Sequence, residues 1–257
     1  MQNLGTSRLS LIPILLFTLT CIAALIPTAT NSNSTVNIYN YVKGIDVSHY
    51  QGDIDWNSVK SAGIRFVFIK ATDGNTYTDP MFSVNWKGSK SAGITRGAYH
   101  FYEPNDHAIS QAYHFVDTLV KLDFMDLPPV IDIEVPPPSG ISKKDFCYGI
   151  LKWLKAVEKT LGHKPIIYTY YSFAQEYLND TRLNSYTIWI ADYKNPSTSP
   201  LIPNTWRKRS WKIWQFSQSG KCRGIVGNVD LSLFNGSPFD LKAFIVEQTL
   251  KSSNSKK

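Results

Sequence analysis

Cysteine is scarce in this chain, with three among 257 residues. So few thiols exclude a small scaffold stapled by disulfides. Neither Cys-x-x-Cys nor His-Glu-x-x-His occurs, and His49, His100, His107, His114 and His163 are scattered. No metal site and no cofactor is therefore expected. No Gly-x-Gly-x-x-Gly follows a candidate strand, which removes the main signature of a dinucleotide-binding sheet. A Gly-x-Ser-x-Gly elbow for a serine hydrolase is missing too. The chain lacks internal repeats and an interdomain linker, and no long apolar run follows residue 30.

What is there suits a globular protein. Hydrophobic residues make up 43% of the chain, enough for a full core. Seven Trp, fourteen Tyr and thirteen Phe offer flat surfaces for a ligand such as a sugar. Lys and Arg number 27 against 20 Asp and Glu, a formal charge of +7. That surplus points to an acidic partner: nucleic acid, an anionic membrane or an anionic polymer.

Residues 1–30 carry one charge, Arg8, followed by a nearly unbroken apolar run from Leu9 to Ile26. Small residues and the polar lead of residues 31–41 come next, a pattern expected of a secretory signal peptide. A membrane anchor is the competing reading, because the run nearly spans a bilayer. With the leader removed, the expected product is secreted, or held in a secretory or digestive compartment, with no stable membrane anchor. It keeps Cys147 and Cys222, which either pair or stay as separate buried thiols; spacing decides neither. Residues 248–257 end in Lys251-Ser-Ser-Asn-Ser-Lys-Lys257 and read as a basic disordered tail.

Between them, residues 42–247 alternate strand and helix patterns. Eight strands are expected, at 44–48, 65–72, 95–102, 129–135, 165–171, 186–193, 212–217 and 229–234, several of them continuous apolar runs as in a helix-covered parallel sheet. Helical patterns fall at 56–62, 82–92, 106–121 and 143–161, with a brief fifth at 172–178. The third opens with a polar cap at Asn105-Asp106; the fourth ends at Leu161-Gly162. Eight strands with about five helices predict an α/β fold, an irregular TIM-like barrel whose outer ring is incomplete over the last strands.

Chemistry in such a barrel sits at the C-terminal strand ends, and carboxylates gather there. Asp46 closes the first strand, Asp132 and Glu134 close the fourth, Asp192 follows Trp189-Ile-Ala, and Asp230 lies in the last. Asp132 and Glu134 are two apart, so they share a face while Ile131, Ile133 and Val135 point toward the helices. Two acids in an apolar frame repel each other and resist burial unless a site uses them. Their pKa values are pushed apart, giving one protonated acid and one carboxylate, as glycosidic bond cleavage requires.

Seven motifs occur in order: Gly44-Ile-Asp46-Val-Ser-His-Tyr50-Gln-Gly52, Gly97-Ala-Tyr99-His-Phe101, Asp132-Ile-Glu134, Ile167-Tyr168-Thr169, Trp189-Ile-Ala191, Trp214-Gln215-Phe216 and Val229-Asp230. Together they resemble glycoside hydrolase family 25, the Chalaropsis-type lysozymes, over residues 42–245. The resemblance implies an N-acetylmuramidase that cuts the β-1,4 bond between N-acetylmuramic acid and N-acetylglucosamine in bacterial peptidoglycan. It implies Glu134 as general acid and Asp132 as the carboxylate that assists the substrate acetamido group. Asp46 and Asp230 match further active-site acids, and Tyr99, Tyr168, Trp189 and Gln215 fall where a sugar groove is lined. Asp192 reads equally as a groove residue and as a surface-loop acid. His100 reads as a satisfied core residue. Trp206-Arg-Lys-Arg-Ser-Trp211 reads as a solvated loop near an anionic wall, with no nucleic acid as partner. A monomer is expected. A chitinase-like barrel and a non-catalytic glycan-binding barrel stay open as alternatives.

Overall fold

The computed structural model describes residues 41–119, 123, 125–194 and 199–253, with side chains to 249. The leader assigned to residues 1–30, the polar lead up to residue 40 and the last four residues of the tail lie outside them. The described strands are β1 (Tyr41–Val47), β2 (Phe66–Asp73), β3 (Tyr77–Thr78), β4 (Thr95–Phe101), β5 (Val130–Asp132), β6 (Ile166–Tyr170), β7 (Thr187–Ala191), β8 (Ile213–Gly220) and β9 (Val229–Asn235). The α-helices are α1 (Trp56–Ser61), α2 (Phe82–Ser91), α3 (Ala108–Thr118), α4 (Lys143–Leu161), α5 (Tyr171–Tyr177) and α6 (Pro238–Ser253).

Alternation along the strands sorts side chains between two cores. In β2, Phe66 and Phe68 point inward, while Val67 and Ile69 join the layer under the helices. Eight strands close into a barrel in the order β1-β2-β4-β5-β6-β7-β8-β9, and β9 returns to β1. The short β3 pairs with the end of β2 outside that ring. All eight expected strands are present, but the last runs antiparallel to both neighbours. Residues 221–228 form a turn where a crossover helix would be needed for a parallel return. The outer ring is thin where expected: between β7 and β8 the described residues hold only a 3-10 turn, Asn204–Trp206.

Helix ends follow local chemistry. Ser142 caps α4, accepting from the Asp145 N–H, and Gly162 ends it with φ +71°. The expected stripe of Phe146, Ile150, Trp153, Leu154 and Val157 is buried. The cap expected for α3 is not made. That helix starts at Ala108, and the Asp106 carboxylate instead accepts the Asn75 N–H at 2.8 Å. Cys147 and Cys222 are separate, buried, free thiols.

The sixth helix was not expected. It carries a legible signal: Ser237 and Asp240 form reciprocal backbone-to-side-chain hydrogen bonds of 2.7 and 3.2 Å around Pro238. It continues to Ser253, well into the segment read as a disordered tail, with Gln248 buried. Its Leu241, Phe244 and Ile245 pack on Val42, Phe66, Val130, Ile166, Ile213 and Phe234, at the N-terminal end of the barrel. Hydrophobic burial thus plugs one mouth and leaves the other open.

Inside, glycine makes room for large rings. A Cβ on Gly44 would lie 2.2 Å from the Phe66 ring, and one on Gly97 would lie 2.7 Å from Phe68. Gly44→Ala should therefore lower stability by about 1–3 kcal/mol, the usual cost of overpacking. Denaturant unfolding checks this, and an unchanged midpoint contradicts it.

Candidate active site

At the open end, the C-terminal ends of the parallel strands surround a cavity of about 250 Å³. It is lined by Asp46, Asp132, Glu134 and Asp230 together with Tyr99, Tyr168, Trp189 and Gln215. Eight of the nine residues singled out from sequence therefore meet in one place. Asp192 lies instead beside an adjoining cavity of about 390 Å³, which shares Glu134 and Tyr168 with the first.

Asp46 and Asp230 are cross-strand partners on β1 and β9. Burial, followed by repulsion from Asp230, holds the Asp46 carboxyl well above its ordinary value. A hydrogen bond between the two acids favours the proton on Asp46 and the charge on Asp230. Asp230 itself is raised, chiefly by burial. Gln215 faces both Asp46 oxygens, its Nε2 donating at 3.1 and 3.0 Å. Its Oε1 accepts from the Tyr168 hydroxyl at 2.8 Å and from the Tyr193 hydroxyl. Two O–H donors on one oxygen fix which way the amide points.

On β5, Asp132 is buried and its Oδ1 has no hydrogen-bond partner. Such an orphan is uncommon in a folded interior and calls for an explanation. Burial first, then repulsion from Glu134, pushes Asp132 well above the usual carboxylate range, and Lys70 opposes the rise. Glu134 sits just past the strand end and is also raised, mainly by burial, with a hydrogen bond from Tyr168 and the Lys70 charge pulling it down. The Tyr168 hydroxyl thus has one proton and two acceptors, Glu134 and Gln215. Tyr193 keeps Gln215 satisfied when Tyr168 turns to Glu134.

Ile131 and Ile133 point into the layer under the helices, as the alternation required. Trp189 is almost fully buried and forms the cavity floor, stacked on Phe68 at 4.6 Å and donating its Nε1 proton to Ser232 at 3.2 Å. The Asp192 carboxylate accepts the backbone N–H groups of Lys194 and Leu201 at 3.2 and 3.0 Å.

Lys70 escaped the sequence reading. It lines the cavity, bonded to Asp73 at 2.7 Å and lying 4.8 Å from the Phe101 ring centre. A register shift between Lys70 and Thr72 lets Lys70 and Asp73, three apart, share a face. That shift also turns Thr72 outward to His100 at 2.8 Å. His100 is buried between Thr72 and Gln111, with burial pushing it down to about 3, so it stays neutral. It is a core residue, not a base.

The sequence profile of glycosyl hydrolases family 25 matches residues 45–225. "Uncharacterized protein YegX" of Escherichia coli (strain K12) is 39% identical over 215 residues, covering 79% of this chain and 73% of its own. "Lysozyme M1" of Streptomyces globisporus is 36% identical over 217 residues, covering 79% and 70% of the two chains. The crystal structure of the bacterial lysozyme from Streptomyces coelicolor is similar with a TM-score of 0.74 and 35% identity, covering 80% of this chain and 98% of that one.

The raised Asp46 has a consequence for stability. Its folded-state value lies above the ordinary 3.8. Stability from this group is therefore complete below that value and is lost as pH rises toward the folded-state value. Asp46→Asn copies the protonated carboxyl: its amide donates to Asp230 and its oxygen accepts from Gln215. The variant should lose less thermal stability than the parent as pH rises above about 4. Parallel Tm profiles for the two proteins contradict this.

Proposed function

Since the chain belongs to glycosyl hydrolases family 25 and is a glycoside hydrolase, we propose that it hydrolyses bacterial peptidoglycan at the β-1,4 bond between N-acetylmuramic acid and N-acetylglucosamine. The observation that carries this reading is the orphaned, buried Asp132 Oδ1 beside a raised Glu134. An acetamido N–H is the donor that a 2-acetamido sugar would bring to that oxygen.

Burial and mutual repulsion disfavour charge on both acids at once, so the pair keeps a proton. A substrate N–H placed on Asp132 favours its charged form and leaves the proton on Glu134. Glu134 then gives that proton to the leaving glycosidic oxygen as the C–O bond breaks and the electron pair moves to oxygen. The acetamido oxygen attacks the sugar carbon from the opposite side, while its N–H proton shifts toward Asp132. Water next adds to the same carbon, giving a proton to Glu134, as the bond from that carbon to the acetamido oxygen breaks. Asp132 returns the proton to the acetamide nitrogen, and the sugar carbon regains its original configuration. Asp230, negative and hydrogen-bonded to Asp46, offsets positive charge at the sugar carbon. Tyr99 and Tyr168 line the sugar's path above the Trp189 floor. Gln215, with both ends of its amide occupied, acts as a positioning residue for Asp46.

One chain supplies all these groups, which supports a monomeric enzyme. Secretion rests on the leader pattern of residues 1–30; among the described residues no helix is long and apolar enough to cross a membrane.

Purified protein on peptidoglycan, with reducing-end analysis of the products, tests the reading. Glu134→Gln should cut turnover by about 10²–10⁴-fold with the fold intact. Asp132→Asn should lower kcat while leaving affinity for a glycan fragment nearly unchanged. Muramic acid reducing ends are the expected product. Cleavage of chitin in preference to peptidoglycan would favour the chitinase-like alternative, and full activity in Glu134→Gln would remove the acid from its role.

A further inference from the structure

The positive charge of the chain is unevenly spread. Helix α4 carries Lys143, Lys144, Lys152, Lys155 and Lys159, all exposed, against two acids, Asp145 and Glu158. Both acids are engaged: Asp145 accepts from Ser142 at 2.6 Å, and Glu158 accepts from the Tyr186 hydroxyl at 3.1 Å. At the helical advance of about 100° per residue, Lys144, Tyr148, Lys152, Lys155 and Lys159 fall within an arc of about 80°. They form one straight stripe about 22 Å long at the helical rise of about 1.5 Å per residue. Among the described residues no carboxylate lies within ion-pairing distance of these four lysines; Lys143, off the stripe, meets Glu176 at 3.9 Å. Lys152 lies over the half-exposed Tyr148 ring at 4.5 Å.

Lysines three and four apart repel along a helix. A merely solvated face normally mixes signs to avoid this. Here the stripe itself holds no acid. Asp180 offsets Lys144 from a neighbouring segment, and Lys152, Lys155 and Lys159, spaced three and four apart, are left to draw anions from outside. Successive lysines are about 4.5, 6 and 12 Å apart along the axis, a series that suits a repeating anion better than a single ion. Lysine heads are hydrated point charges that follow a flexible phosphate chain without demanding paired geometry. The stripe has one aromatic and no aliphatic residue, so it offers little to a lipid interior.

We propose that this face of α4 is a docking track for a linear, phosphate-bearing anionic polymer of the bacterial cell wall. The helix follows the loop that leaves Glu134 at the end of β5, so the track starts at the open mouth of the barrel. A polymer held there keeps the mouth beside the glycan it cuts. This deepens the proposed function and rests on it for the choice of wall as partner.

The test uses the full chain carrying Glu134→Gln, so that walls stay intact, and measures sedimentation with purified walls. One variant carries Lys144→Gln, Lys152→Gln, Lys155→Gln and Lys159→Gln. A control removes the same charge elsewhere, at the exposed Lys43, Lys87, Lys221 and Lys242. The stripe variant should bind intact walls at least about tenfold more weakly than the control, with a shallower salt dependence. Stripping the walls of phosphate polymer with hydrofluoric acid should abolish that difference. Equal loss in both variants would reduce the effect to net charge and overturn the proposal. So would a difference that persists on stripped walls, or one seen only with phosphatidylglycerol vesicles. With Glu134 restored, hydrolysis of soluble glycan strands should be unchanged by the stripe substitutions. Failure of the parent on that substrate would count against the proposed function and leave the binding result standing.

Discussion

Four carboxyl groups share the open end of a barrel whose other end is sealed. That crowding governs the rest of the molecule. Each acid is raised by burial, and mutual repulsion disfavours charge on all four together. Protons must therefore be retained, and their placement decides what the cavity can do. Lys70, tied to Asp73, supplies positive charge on the cavity wall without cancelling the acids. The surrounding scaffold serves this arrangement. Phe66 and Phe68 fill the barrel where glycines leave space, α6 closes the far mouth, and the strand ends hold the acids at fixed positions.

Hydrogen bonds turn the crowding into an ordered site. The hydroxyls of Tyr168 and Tyr193 lock the Gln215 amide, which then has only donors to show Asp46. Asp46 passes its proton toward Asp230. Tyr168 reaches both this chain and Glu134, so the two acid pairs are linked through one phenol. Among the four acids of the cavity, Asp132 presents the buried oxygen that the protein does not satisfy, and the proposed function gives that oxygen a substrate N–H. Folding stability and activity pull in opposite directions here, because the charges that serve catalysis are costly to bury.

Much of this was legible in the sequence, for identifiable reasons. Period-two alternation around Asp132 and Glu134 placed the acids on one side and Ile131 and Ile133 on the other. Eight apolar runs of strand length gave the eight barrel strands. Alternation is blind to strand direction, so the antiparallel course of β9 was hidden. A one-residue register shift reverses the faces beyond it, which concealed the pairing of Lys70 with Asp73. Asp192 is braced by a backbone N–H nine positions along the chain, at Leu201, and no side-chain spacing announces such a partner. Helix α6 was different: its Ser237-x-x-Asp240 box and Pro238 are ordinary start signals overlooked beside a basic tail.

The account turns on where one proton sits when an acetamido sugar arrives. Carbon-detected NMR of the Glu134 and Asp132 carboxyls, titrated with and without a non-hydrolysed fragment bearing an N-acetyl group, reads this directly. Binding should raise the Glu134 titration and lower that of Asp132, as the substrate N–H claims the orphaned oxygen. If both titrations fall together, or Asp132 keeps its proton in the complex, the division of labour between the two acids is wrong.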